Sequence, residues 1–435
     1  MSVLLEEILS RENMLEALKK VKANKGASGI DGISVEEIDQ YFRENWVEIR
    51  DKIRRRKYKP QPVRRVEIPK PNGGVRNLGI PTVADRVIEQ AIAQALTPYY
   101  EPQFSDNSYG FRPGRCAQQA IVKLLEYFND GYIYIVDIDL EKFFDNVPQD
   151  KLMSLVHNFI NDPDTESLIN KYLNAGVMIR GEYEATPKGT PQGGNLSPLL
   201  SNIMLNELDK ELEARHLSFV RYADDCVITV KSSAAANRVM ASITKWIERK
   251  LGLKVNATKT KVTTPNKLKY LGFGFWKDKG VWKSRPHGES IKRFKSKLKQ
   301  LTRRNWSITM DQRIRGLNGV IRGWINYFSM ANMKDALTRI DVYLRKRMRI
   351  VVWKQWKTPA KRMWGLRKLG VPELTAKKSV AFGDCYQAVE KTIGLRYISK
   401  AIFTRRGLIS CLDYYIELNR RMPNGTYGGV RGSTC

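Results

Sequence analysis

Two pairs of aspartates in this chain have the type and spacing that chemistry on phosphate esters requires. In FVRYADDCVITV, Asp224 and Asp225 stand side by side between two runs of β-formers, Phe219, Val220 and Tyr222 before them and Val227, Ile228 and Val230 after. The segment reads as a hairpin with the acidic pair at or beside its turn. Aspartate is a common turn residue, but a two-residue hairpin turn usually carries Gly or Asn and this one has neither. Adjacent like charges are costly unless a cation neutralises them. In VDIDLEKFFDNV, Asp137 and Asp139 lie two apart, so a strand through them points both to one face. If the two segments share a sheet, a carboxylate from this strand can join Asp224 and Asp225 around two divalent ions. Magnesium suits such a cluster because it is hard, takes oxygen ligands and keeps positions open for phosphate and water. Two ions about 4 Å apart would stabilise both the attacking and the departing oxygen in nucleotidyl transfer.

The elements that must position these groups can be followed along the chain. Two helices are expected at the start. The second opens on a Ser34/Glu37 capping box and repeats Val35, Ile38, Phe42, Trp46, Ile49 and Ile53 at helical spacing. Between them, NKGASGIDG (24–32) reads as a flexible loop able to bring backbone close to a partner. VRRVEIPKPNGGVRNLGIPT predicts a hairpin with strand residues around Val66 and Ile68, a PNGG turn, and a return through Val75 and Leu78. Helices follow at 83–97 and 115–128, then the short strand YIYIVDIDL and more helical sequence. GTPQGGNLSPLLSNIMLNELDKEL is a Gly-rich loop running into an amphipathic helix with Leu199, Ile203 and Leu205. After the acidic hairpin come a helix at about 234–250 and strands around Val262 and LKYLGFGF.

The chain of 435 residues, 42% hydrophobic, is long enough for several cores. Its net charge of +30 points to nucleic acid as partner, because Lys and Arg gain affinity by releasing counterions from phosphates. Residues 291–370 hold 22 Lys and Arg against Asp311, Asp335 and Asp341. A solvated helix face normally mixes signs, so this region reads as a helical domain gripping a phosphate backbone, with Trp306, Trp324, Tyr327, Trp353, Trp356 and Trp364 divided between core and surface. Five widely spaced cysteines without a CxxC pattern speak against a disulfide framework or a cysteine-rich zinc module and fit a reducing compartment. No signal peptide or membrane span is expected, and the expected location is cytoplasmic, with nucleic acid.

The order and wording of DLEKFFDNV, GTPQGGNLSPLLSNI, YADD and LKYLGFGF resemble the reverse transcriptases encoded by bacterial group II introns. NKGASGIDG, VEIPKPNGGVRNLGIPT, SYGFRPGR and RGWINYF extend the likeness over the whole chain. The compact group IIC type is the nearest in kind. The resemblance implies an α+β right-hand polymerase: fingers and an antiparallel palm sheet in 1–290, a helical thumb or maturase domain in 291–370, and a small DNA-binding domain with a tail in 371–435. It implies RNA-directed DNA synthesis with two Mg2+ ions and deoxynucleoside triphosphates on an RNA template with a DNA primer. Group II intron RNA and target DNA are the further partners, in splicing and retrohoming.

Residue by residue, the resemblance selects Asp139 over Asp137 as the first metal ligand, since the family places an aromatic five positions later and Phe144 stands there. Asp139, Asp224 and Asp225, with Leu140 beside them, form the implied metal set. Phe144 would lie under the sugar and exclude a 2′-hydroxyl. Lys70 and Arg76 match the triphosphate-binding pair, and Gln192 would contact the nucleotide. Lys25, Gly26, Ser28 and Gly29 match the loop over the template. Tyr222, Tyr270 and Gly272 would support the primer, and Arg322 and Trp324 belong to the basic thumb segment. Relatives with a C-terminal endonuclease of HNH type need clustered histidines. Here only His157, His216 and His287 occur, so DNA cleavage by the polypeptide is not expected. Two other functions stay open on sequence: a splicing factor whose polymerase site has decayed, which the intact acidic and basic set argues against, and a domesticated enzyme of defence or repair.

Overall fold

The computed structural model describes residues 2–69, 73–190 and 193–420. They divide into two compact units between Thr264 and Pro265.

The first unit opens with three helices where two were expected. Ser2 accepts a hydrogen bond from the Leu5 amide to start α1 (Val3–Ile8), and Ser10 accepts one from the Asn13 amide to start α2 (Arg11–Ala23). An N-cap serine inside the apolar run thus splits it. α3 (Ile38–Arg54) begins after the expected capping box, of which only half forms: the Glu37 carboxylate accepts from the Ser34 amide. Ile38, Ile49 and Ile53 are buried, and Phe42 and Trp46 pack on the core edge.

The strands of this unit, in chain order, are β1 (Val63–Pro69), β2 (Val75–Ile80), β3 (Tyr134–Ile138), β4 (Val177–Ile179), β5 (Glu182–Glu184), β6 (Ser218–Tyr222), β7 (Asp225–Val230) and β8 (Lys261–Thr263). They build two four-stranded sheets, β2-β1-β4-β5 and β6-β7-β3-β8. The β4–β5 hairpin lies in sequence read as helical; its turn, Arg180–Gly181, has positive φ at both residues, the backbone of a tight hairpin. In the second sheet all neighbours are antiparallel, and the shared sheet required by the acidic segments exists: β3 pairs directly with β7.

Helices α4 (Val83–Tyr100), α5 (Ala117–Asn129), α6 (Phe143–Asn146), α7 (Gln149–Ile160), α8 (Pro163–Leu173), α9 (Ser197–Ala214) and α10 (Ser233–Trp246) surround the sheets. α4 is buried on almost every side, with Val83, Val87, Ile88, Ala91, Ile92 and Leu96 sealed from solvent. It is the central rod on which the site loops are hung.

The second unit begins with the hairpin of β9 (Phe273–Asp278) and β10 (Val281–Pro286) and continues as helices α11 (Gly288–Leu301), α12 (Met310–Tyr327), α13 (Lys334–Gln355), α14 (Pro359–Lys368) and α15 (Glu373–Ala381), followed by further helices to Arg420. Its core is Leu298, Ile314, Leu317, Ile321, Leu337, Ile340, Leu344 and Trp353. The architecture is α+β in the first unit and mainly helical in the second.

Candidate active site

The acidic hairpin turns in two residues. Tyr222 and Asp225 are the last paired positions, and Ala223 and Asp224 connect them. Ala223 has φ +56°, a left-handed conformation that costs a residue with a Cβ roughly 1–2 kcal/mol. Glycine would remove that cost, so the turn is held in place by its surroundings.

The register of the sheet brings the second acidic segment alongside. Ile138 pairs with Cys226 and Asp137 with Val227 on one side, and Asp137 pairs with Lys261 on the other. One residue past the last β3–β7 pair, the same register sets Asp139 beside Asp225; on the other side the β3–β8 register breaks, the Asp139 carbonyl accepting from the Asn256 amide, and Lys259 reaches Asp139 through its side chain. The Lys259 ammonium is 3.2 Å from both Asp139 carboxylate oxygens. Leu140 forms an isolated bridge with Val255 whose hydrogen bonds use the Asp139 carbonyl and the Glu141 amide. In such a bridge the Leu140 carbonyl points to the opposite side of the strand, the side of β7.

The carboxyls feel one another. Burial pushes the Asp224 carboxyl above the usual carboxylate range, and Asp139 adds to the effect while Arg76 and Arg221 oppose it. Asp225 keeps exposed surface, yet protein crowds its carboxyl. That burial, followed by Asp224, Asp137 and Asp139, pushes it up to about 6. Asp137 is raised by burial as well, with Lys261 pulling it down. Among the described residues no three His, Cys, Asp or Glu side chains close into a cage for a metal ion. The donor set nonetheless fits magnesium: hard carboxylate oxygens on two adjacent strands, mutually repelling, with a lysine as the near cation on Asp139.

Arg76, on β2, is exposed, and its charge reaches both Asp224 and Asp225. Lys70 and Gln192 lie outside the described residues. Phe144, on α6, meets Phe143 edge to face at 5.2 Å, and its carbonyl accepts from the Thr190 amide at 2.7 Å. Thr190 is therefore tied to the backbone of Phe144, and Gly189 before it to the Val147 carbonyl. Past that loop, Gly193 lies against the Gly79 carbonyl, where a Cβ would come within 2.3 Å. Glu89 of α4 accepts from the Asn195 amide at 2.6 Å. Glu89 is sealed from water, and burial pushes its carboxyl up to about 8 against the pull of that hydrogen bond.

The N-terminal loop is docked on its own chain. Arg86 donates to the Ala27 carbonyl at 2.6 Å and Arg64 to the Ser28 carbonyl at 2.8 Å. A Cβ at Gly26 would strike Arg86, and one at Gly29 would strike the Thr82 backbone. Gly29 is thus required first by packing, whereas a side chain at Gly26 would have to displace only the Arg86 guanidinium; the loop is docked, contrary to a freely flexible one, while Lys25 is exposed. Tyr222 is half-buried. In the second unit Tyr270 is only 3% exposed and bridges to Phe273, with Gly272 between them at φ +82°. Trp324 stacks on Phe294 at 4.5 Å, and Arg322 is exposed.

The family described as reverse transcriptase (RNA-dependent DNA polymerase) matches residues 68–275, and the group II intron maturase-specific domain matches 291–370. Protein YkfC of Escherichia coli is 32% identical over 347 residues, spanning 71% of this chain and 90% of that protein. The chain belongs to the group II intron reverse transcriptases. Group II intron-encoded protein LtrA of Lactococcus lactis is 40% identical over 206 residues, 47% of this chain and 34% of that protein. An uncharacterized 91 kDa protein in the cob intron of Schizosaccharomyces pombe is 28% identical over 78% of this chain and 52% of its own length. The chain thus spans about a third of LtrA and about half of the Schizosaccharomyces pombe protein.

Three residues of this reverse transcriptase escaped sequence reasoning: Lys259 on Asp139, Glu89 under the Gly-rich loop, and Arg221 behind the acidic turn. Arg221 carried a signal, a charge in an otherwise apolar strand directly before YADD. No helix among the described residues is long and apolar enough to cross a membrane.

Proposed function

We propose that this enzyme copies an RNA template into DNA from a primer end at the β6–β7 turn, and that it binds its parent intron RNA to assist splicing and mobility. The observation that carries the polymerase reading is the β3–β7 register, which brings Asp139 to Asp225, with the Asp224 and Asp225 carboxyls raised by burial and then by neighbouring carboxylates. Asp139, Asp224 and Asp225, with the Leu140 carbonyl on the β7 side, would hold Mg2+. When bound, the ions supply positive charge to the primer hydroxyl and the leaving pyrophosphate.

The chain's own residues do the rest. Arg76, with Lys70 on the same hairpin, neutralises the triphosphate where charge develops. Phe144, its backbone latched to Thr190, closes the space a 2′-hydroxyl would need, so deoxynucleotides are selected. Gln192 touches the nucleotide from a loop whose end is pinned to β2 and α4. Lys25, Gly26, Ser28 and Gly29 border the template, Tyr222, Tyr270 and Gly272 support the primer, and Arg322 and Trp324 contribute to the basic face of the second unit, which binds intron RNA and target DNA.

The test is extension of a DNA primer on an RNA template with Mg2+ and deoxynucleotides, beside Asp224→Ala. Long products from the wild type alone are expected. Synthesis by the Asp224→Ala protein would overturn the metal assignment.

A further inference from the structure

Behind the acidic turn lies a buried charged network to which the reading above gives no role. Arg221 is in β6, the edge strand of its sheet, and Asp209 is on α9. Both side chains are completely sealed from solvent. Asp209 takes two sides of the guanidinium, Nε at 2.7 Å and Nη2 at 2.5 Å. With the fork fixed in this way, Nη1 is aimed at two oxygens, the Asn202 side-chain carbonyl and the Ala223 backbone carbonyl, each at 3.0 Å.

The Ala223 carbonyl belongs to the same planar peptide unit as the Asp224 amide. Fixing that oxygen fixes ψ of Ala223 and limits φ of Asp224, hence the direction in which the Asp224 carboxylate leaves the backbone. Ala223 is also the residue in the left-handed conformation, and such residues persist where their surroundings over-determine them. Those surroundings form a closed ring. Gly110 lies so near the Ala223 amide that a Cβ there would come within 2.2 Å. The Gly110 carbonyl accepts from Asn202 Nδ2 at 2.9 Å, and Asn202 returns to the guanidinium. The backbone of Arg221 is held too, its amide donating to the Asn107 carbonyl and its carbonyl accepting from the Tyr109 amide.

We infer that Arg221, oriented by Asp209 and Asn202, is the positioning residue that sets the peptide before Asp224 and thereby aims the acidic pair at its metal ions. The inference rests on the metal-binding reading of Asp224 and Asp225. An ion pair serving stability alone could be exchanged for apolar residues of similar volume with little harm. A positioning role cannot, because no apolar side chain donates to the Ala223 carbonyl.

The experiment compares the wild type, the double variant Arg221→Met/Asp209→Leu, Arg221→Lys, and Asp224→Asn as control. Four quantities are read: melting temperature, template–primer affinity, kcat, and the Mg2+ concentration giving half-maximal rate. The double variant is expected to keep template–primer affinity near wild type and to melt somewhat lower, because the buried Ala223 carbonyl and Asn202 Oδ1 lose their donor. Its kcat should fall roughly ten- to hundredfold, as for groups misplaced by about 1 Å, and its Mg2+ requirement should rise. Arg221→Lys keeps the charge facing Asp209 but lacks the planar fork, and the same two readouts should move in the same directions. Wild-type kcat and Mg2+ dependence in the double variant overturn the inference. If that variant does not fold, wild-type values in Arg221→Lys overturn it instead. An active Asp224→Asn protein would sink the metal reading and this inference with it, whereas an inactive control beside unaffected Arg221 variants removes the inference alone.

Discussion

The Lys259 ammonium lies 3.2 Å from both carboxylate oxygens of Asp139. Any divalent cation that uses Asp139 must compete with this ion pair. Both side chains are partly open to water, and such pairs contribute only about 0–1 kcal/mol. Lys259→Gln should therefore lower the Mg2+ concentration for half-maximal synthesis by up to about fivefold, most clearly at low salt, where the pair is least screened. A Mg2+ titration of single-nucleotide incorporation measures it. An unchanged or higher requirement would remove the competition and assign Lys259 a different part in the reaction.

Asp225 links the same cluster to pH. Its carboxyl is pushed up to about 6 by burial and then by Asp224, Asp137 and Asp139, while in the unfolded chain it titrates near the ordinary aspartate value. The native state therefore holds a proton that the unfolded state has released. In metal-free protein, stability is lost as pH rises from about 4 to about 6. Asp225→Asn carries no such charge and should melt higher than the wild type at pH 7 in EDTA, with the difference vanishing near pH 4. The variant should be inactive in primer extension. Equal melting temperatures at pH 7 would show that the cluster is not self-repelling.

Glu89 makes a sharper case because it is sealed from solvent. Its carboxyl is raised to about 8 by burial, so the protonated form prevails in the native protein at neutral pH. The stability cost of ionising it appears as pH rises from about 4.5 and is complete above about 8. Glu89→Gln preserves an acceptor for the Asn195 amide and removes the titration. Its advantage in unfolding free energy should grow across that window to about 2 kcal/mol or more at pH 8. Thermal melts at pH 5, 7 and 8.5 decide the matter; a gap that shrinks with rising pH contradicts the assignment.

The latch between Thr190 and the backbone of Phe144 bears on nucleotide choice. Since the contact is made by main-chain atoms, replacing the ring leaves the loop in place. Phe144→Val should raise incorporation of ribonucleotides relative to deoxynucleotides by tenfold or more, taking a discrimination of about 1–3 kcal/mol for a steric contact of this size. Deoxynucleotide kcat/KM should change much less. Equal discrimination in variant and wild type would strip Phe144 of its gating role.

What could be read in the sequence follows the range of the interactions. The β6–β7 hairpin and the helix from Ser197 rest on patterns local to a few residues, period two and period 3.6, and both lie where those patterns put them. The β4–β5 hairpin is too short for alternation to show, although Gly181 marks its turn. Ser10, a capping residue within an apolar run, divides α1 from α2 and passed as one more helical position. The pairing of β3 with β7 joins segments some 90 residues apart, and no local pattern specifies its register. Hence Asp139 and Asp137 could not be separated by spacing alone, and Lys259, a lysine in TKTK, gave no sign of its partner. Lys70 and Gln192 remain expectations of the family resemblance.

The basic second unit yields a prediction about salt. On α11, Lys292, Lys295 and Lys299 follow one another at helical spacing along the flank of the buried Phe294 and Leu298. Arg313 belongs to the interior instead, its guanidinium donating to the Leu301 and Trp306 carbonyls. Charge counted from sequence therefore overstates what reaches a ligand, and the two classes should separate experimentally. Replacing the three α11 lysines with Gln should weaken RNA binding and reduce the slope of log K against log salt by about 2, from roughly 0.7 counterions per contact on single strands. The melting temperature should stay close to wild type. Arg313→Gln should do the reverse, lowering the melting temperature while leaving the slope of the folded fraction unchanged, because it removes the bonds of a buried guanidinium to two carbonyls without removing a phosphate contact. An α11 triple variant with an unaltered slope would mean that this face does not meet the RNA.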